Sequence, residues 1–166
     1  MVRTALVALS LTIGSIACVD TAAAQSLQYR LAGMWTYVDN YNDMPDGRRI
    51  RPMGPNGKGI LMLDPGGRFS WVYVRPDIPK FASNNRQTGT DAENKAVAQG
   101  SLAYFGTYTI DEQNNSIVMR IEYSSFPNFN GAEQRRSIKF DGEQLIIINQ
   151  AAASGGTAYA TWKRAQ

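Results

Sequence analysis

Along most of this chain, apolar and polar positions trade places at every second residue, the pattern of strands with one buried face. Residues 68–75 alternate most cleanly, with Phe69, Trp71 and Tyr73 on one face and Ser70, Val72 and Val74 on the other. Residues 101–110 carry Tyr104, Gly106 and Tyr108 on one face and Phe105 on the other. Residues 116–124 set Ile117, Met119, Ile121 and Tyr123 against Val118, Arg120, Glu122 and Ser124. Strands are also predicted over about 33–41, 133–140 and 157–163. Two more runs, 59–63 and 145–149, are apolar on both faces and ask for cover on both. Asp64-Pro65-Gly66-Gly67 and Asp141-Gly142 read as hairpin turns.

Three stretches fall outside the alternation. The density of Pro and Gly in 45–57 predicts irregular backbone. Pro76 and Pro79 end the strand before them, and Thr90-Asp91-Ala92-Glu93 then fits a capping box with Thr90 as N-cap. A short helix is predicted from there to about Gln99, with Gly100 as its C-cap. An insertion of this length in a small domain is more often functional than not. Ala151 to Gly156 reads as a flexible link.

Eight strands joined mostly by hairpins, with one short helix between the third and fourth, predict an all-β fold. Such a set removes its exposed edges by closing, here into an eight-stranded antiparallel up-and-down β-barrel. The interior of such a barrel is filled by side chains or holds one small ligand. Gly33-Met34-Trp35 opens the first strand and Trp162-Lys163-Arg164 ends the last. An arginine lying over the Trp35 indole would close the sheet and plug one end, leaving the ligand entrance at the other. Outer cover for 59–63 and 145–149 would come from 76–100, from 25–32 or from a second subunit, so a homodimer is one expectation.

The first 24 residues are of another kind. Arg3, an apolar run from Ala5 to Ala17 and the small residues Ala22-Ala23-Ala24 read as a secretory signal peptide cleaved near Ala24-Gln25, with the barrel domain over 25–166. The expected location is periplasmic or secreted, with no integral membrane span, because the apolar run is short for one. Cys18, after Ser15-Ile16-Ala17, offers the alternative of a lipid anchor, on a poor version of that processing site. Without residues 1–24 the chain keeps its net charge of +3 and has no cysteine, which excludes disulfides. No basic block calls for nucleic acid. The complete absence of histidine removes the commonest general base and metal ligand. No metal set or cofactor emerges.

Gly33-Met34-Trp35, Pro55-Asn56-Gly57, Phe81-Ala82-Ser83, Gly89-Thr90, the run Ala103 to Tyr108, Glu122-Tyr123-Ser124, Phe126-Pro127-Asn128 and Trp162-Lys163-Arg164 occur in this order. Through them the chain resembles the bacterial and fungal lipocalin-like domain proteins over nearly all of residues 25–166. The resemblance implies an eight-stranded barrel with an internal pocket; relatives with such folds include small-molecule carriers and some cyclases. One departure stands out. Many members carry a histidine in the strand matching 116–124, where this chain has Met119-Arg120, so an acid–base role for that residue does not carry over.

Tyr104 and Tyr108 would line a pocket, with Gly106 between them leaving room for a ligand or a close strand; the ordinary reading is barrel filling. Glu122 and Ser124 face inward only if the polar stripe of 116–124 does, and a β-bulge could switch that facing part-way. Arg136 with Gln134 fits a barrel mouth. Trp71, on the aromatic face of 68–75, and Asn128, in the 126–131 loop, complete the ligand-binding candidates; no catalytic residue is assigned. Arg75 and Arg86 read either as a cationic lid or as surface arginines. The expected function is the binding of a small apolar or amphipathic molecule. The alternatives are a cyclase or isomerase with Glu122 as its acid or base and Tyr104 or Tyr108 as a proton donor, and an envelope structural or interaction module. The lack of histidine and of a nucleophile arrangement favours binding over catalysis.

Overall fold

A computed structural model describes residues 26–165; the expected signal peptide, its cleavage site and Cys18 lie outside the described residues. The strands are β1 (Gly33–Asp43), β2 (Arg49–Ile50), β3 (Lys58–Leu63), β4 (Arg68–Val74), β5 (Ser101–Asp111), β6 (Ser116–Ser124), β7 (Glu133–Asp141), β8 (Gln144–Asn149) and β9 (Thr157–Arg164). All except β2 form one closed antiparallel ring, β1-β3-β4-β5-β6-β7-β8-β9, with β9 pairing back onto β1. This is the eight-stranded barrel that the alternation predicts. β2 is a two-residue flap on Asn42 and Asp43, inside the loop read as irregular.

Inward positions fill most of the interior. Trp35, Leu61, Leu63, Trp71, Ile117, Met119, Ile121, Leu145, Ile147 and Trp162 are each at most 2% exposed, so this half of the barrel is a packed core. Its aromatic spine is built of crossed and stacked rings: Trp71 stands edge-on to Trp162 at 5.0 Å, and Tyr73 stacks on Trp162 at 5.4 Å.

Helix α1 (Leu27–Leu31) closes one end. Ser26 caps it, and the Glu112 carboxylate accepts from the Leu27 and Gln28 amides at 3.0 and 3.2 Å, satisfying donors a short helix leaves open. Leu27 and Leu31 are buried. Residues 26–32 thus do not cover the outside of the barrel; they stopper it, packed against Trp35. The Trp35 indole N–H donates to the Leu31 carbonyl at 2.8 Å, and the Arg164 guanidinium lies 4.3 Å from its ring centre. Arg164 also donates to the Ala32 carbonyl at 2.9 Å and to the Arg30 carbonyl. It passes so close to Gly33 that a Cβ there would stand 2.7 Å from its Nη1, and Gly33 has φ of +129°. Glycine is therefore required where the first and last strands meet.

The insertion after β4 folds on itself. Helix α2 (Asp91–Gly100) begins with the predicted capping box, and the same Glu93 carboxylate accepts from the Ala82 amide at 2.8 Å. That bond, ahead of those from Thr90, holds Glu93 below the usual carboxylate pKa range. Gly100 is the last helical residue, packed against Ile78, and not a left-handed cap. Nor does α2 cover the sheet: Ile60, Met62, Val72, Val74 and Phe105 remain exposed on the outer face.

Two bulges set which residues face in. The β1–β9 register slips between Tyr37 and Asp39. Trp35 and Tyr37 point inward before it, Asn40 and Asn42 after it. The β5–β6 register slips between Phe105 and Gly106, so that Glu122 is the extra residue. Past it Tyr123 turns outward, 65% exposed, beside Phe105. The stripe Ile117, Met119, Ile121, Tyr123 therefore breaks at its last member.

Candidate functional site

At the end opposite Trp35 the packing opens into a cavity of about 80 Å³. Its floor is aromatic: Trp71 and Tyr73 from β4, and Tyr104 from β5 stacked on Trp71 at 5.6 Å. Phe129, in the 3-10 turn Pro127–Phe129, stands edge-on to Tyr104 at 5.9 Å. Asn40 and Asn42 form one wall, and Ala152, Ala153 and Ser154 close over the top. This strap of small residues is tied to the barrel by the Asn42 amide, which donates to Ser154 Oγ at 2.9 Å and to the Gly155 carbonyl at 2.7 Å.

Arg136 is the one charged side chain on the cavity wall. It is 5% exposed, brought in by the alternation of β7. It donates to the Tyr104 hydroxyl at 2.8 Å and to Gln134 Oε1; its Nε–H is buried with no partner. Its guanidinium lies 4.7 Å from the Trp71 ring centre and 5.5 Å from that of Tyr104. Among the described residues it belongs to no ion pair. Arginine keeps its charge when buried. Burial raises the Tyr104 phenol above its ordinary pKa, with the Arg136 charge pulling the other way, so Tyr104 is a neutral partner. Cation–π contact returns about 2 kcal/mol when desolvated, against a penalty of several kcal/mol for burying an ion. The cavity is therefore left short of negative charge.

Of the seven residues singled out from sequence, the structure brings Trp71, Tyr104 and Arg136 together on this wall. The other four lie elsewhere. Tyr108 is buried toward the closed end, where its hydroxyl donates to the Asp64 carbonyl at 2.8 Å. Glu122, extruded by the bulge, pairs on the outside with Arg68 at 2.8 Å. Ser124 accepts from the Phe126 amide at 3.0 Å and so tightens the following turn. Asn128 is exposed in that turn. Arg75 forms no lid; it is held by Asp77 at 2.6 Å. Replacing Tyr108 by phenylalanine should cost about 1 kcal/mol, the worth of one hydrogen bond, with ligand affinity unchanged; a urea melt beside a binding titration checks both.

Four further features escape the sequence pattern. Asn40 and Asn42 lie on what strict alternation would make the outer face. Met53 is buried from a loop of glycines and prolines, and 151–156 carries no feature beyond small size. A larger concavity of about 1230 Å³ lies outside the closed end, beside Tyr29 and Phe140, but holds no buried unpartnered polar atom.

A family profile described as a lipocalin-like domain matches residues 32–165. A curated relative from Aspergillus oryzae, named a 4'-hydroxy-3'-methoxypropiophenone carrier protein, is 26% identical over 106 residues, covering 58% of this chain and 96% of the relative. Among solved structures, a lipocalin-like protein from Bacteroides uniformis is similar at 13% identity, with a TM-score of 0.45, over 82% of this chain and 99% of that one. A variant of the fluorescent protein UnaG is similar at 12% identity, with a TM-score of 0.38, over 82% of this chain and 96% of its own.

Proposed function

This chain belongs to the lipocalin-like domain family, and on that premise we propose that it carries a small apolar or amphipathic molecule inside its barrel. The observation that carries the reading is the cavity: aromatic and apolar walls with a single buried, incompletely partnered cation. Apolar walls supply affinity and a few placed polar groups fix orientation, which is how small-molecule sites are built. The carrier named among its relatives supports the same reading. The enzyme alternative loses its carboxylate, since Glu122 is outside and the cavity lining holds none, and keeps only Tyr104 of its proposed groups. Export to the periplasm or beyond, with cleavage near Ala24-Gln25, is part of the proposal. It is supported by Arg3, the apolar 5–17 run and the small residues Ala22-Ala23-Ala24.

Protein purified from its own host should retain a ligand in native mass spectrometry. Tryptophan emission should be quenched saturably by aryl ketones or related one-ring compounds, because Trp71 lines the cavity. A protein that is empty and silent to a panel of such compounds would sink the carrier reading.

A further inference from the structure

We infer that the molecule this cavity is built for is a carboxylate on a single aromatic ring, with the carboxylate against Arg136; the inference rests on the carrier reading above. The charge comes first. Arg136 is buried, it is the only ionised group on the cavity wall, and no described carboxylate pairs with it. A ligand of charge −1 restores neutrality inside the barrel, and a neutral ketone or alcohol does not.

The hydrogen bonds point the same way. A guanidinium has five N–H donors, and protein atoms account for two of them, through Tyr104 and Gln134. Nε–H remains without a protein partner. A carboxylate offers two oxygens and about four lone-pair sites with no proton to place. Its plane also matches the guanidinium fork for paired hydrogen bonds.

The rest of the ligand follows from walls and volume. Trp71, Tyr104 and Phe129 present ring faces and edges to the space beside Arg136. Offset or edge-to-face contacts with a second aromatic ring suit these surfaces. The cavity of about 80 Å³ is roughly half the ~150 Å³ of an engineered cavity that accepts benzene. Even one ring therefore needs more room than the closed cavity gives, and a ligand larger than one ring is disfavoured; the room comes from the strap over 151–156 lifting. That strap is attached through the two Asn42 hydrogen bonds, and its small side chains leave little to unpack.

The test compares acids with their neutral isosteres on the intact protein: benzoate against benzamide and cinnamate against cinnamamide, titrated at pH 7 and followed by backbone amide NMR shifts. Each acid should bind roughly 10- to 100-fold more tightly than its amide, the worth of hydrogen bonds to a charged group. The shifts should centre on Arg136, Tyr104 and residues 151–156. Arg136→Gln should abolish the preference for the acid. Should that variant fail to fold, the acid-to-amide ratio on the unaltered protein still decides. Amides or aryl ketones that bind as tightly as the acids would overturn the inference and leave the carrier reading standing. Binding by none of these probes, together with no ligand retained from the host, would overturn both.

Discussion

Trp35→Ala should lower the free energy of unfolding by about 3–5 kcal/mol, the cost of deleting a large aromatic from a core that refills only partly. Domains of this size are stable by only about 5–15 kcal/mol, so a loss of that order decides whether the chain folds at all. Three interactions would go together. The indole fills the space between the barrel floor and Leu31, donates to the Leu31 carbonyl at 2.8 Å and supports the Arg164 guanidinium at 4.3 Å. Arg164 in turn holds the Arg30 and Ala32 carbonyls, so the alanine variant should also loosen α1. A urea melt reads the global effect, and hydrogen exchange of the Ala32 and Arg30 amides reads the local one. A near-neutral melt would reject the role of Trp35 as the plug.

Gly106→Ala should destabilise by at least about 3 kcal/mol, at the upper end of overpacking costs. A single added methyl would stand 2.0 Å from the Arg120 carbonyl oxygen and 2.9 Å from the Glu122 amide. Both are backbone atoms, so no rotamer change relieves the contact. The strands must separate, or the bulge at Glu122 must come out. Removing the bulge would pair Phe105 with Glu122 and turn the now-exposed Tyr123 inward against Tyr104, into a wall that is already packed. Thermal melts of Gly106→Ala beside Gly67→Ala, where the nearest atom would be 3.2 Å away but φ is +88°, set the cost of close approach against that of left-handed backbone strain. An unchanged midpoint for Gly106→Ala would mean that β5 and β6 slide apart at no cost. The glycine between Tyr104 and Tyr108 thus serves a close strand and not the ligand.

Much of the barrel could be read directly from residue order. The alternation in 68–75 places Trp71 correctly, and the alternation in 133–140 places Gln134, Arg136 and Ile138 correctly, because a strand without bulges carries its facing along its whole length. The capping box at Thr90 is equally local and equally legible. Glu122 and Ser124 were not legible in this way. Their facing depends on one extra residue in β6, and that residue is tolerated because Gly106 sits opposite on another strand.

The same reason governs the site as a whole. The pattern of side chains along the chain by itself determined that there is a closed eight-stranded barrel, that Trp35 and Arg164 meet at one end, and that Trp71, Tyr104 and Arg136 point inside. Each of those is a consequence of a period of two or of a local turn. Only the tertiary structure decided that the interior is mostly full and that the space left at the far end is a cavity of about 80 Å³. Only it decided that Asn40 and Asn42 turn inward past a bulge, where Asn42 holds the strap. Bulges, cavity volume and an arginine left without an anion are properties of how strands from distant parts of the chain fit together, and no single stretch of sequence carries them.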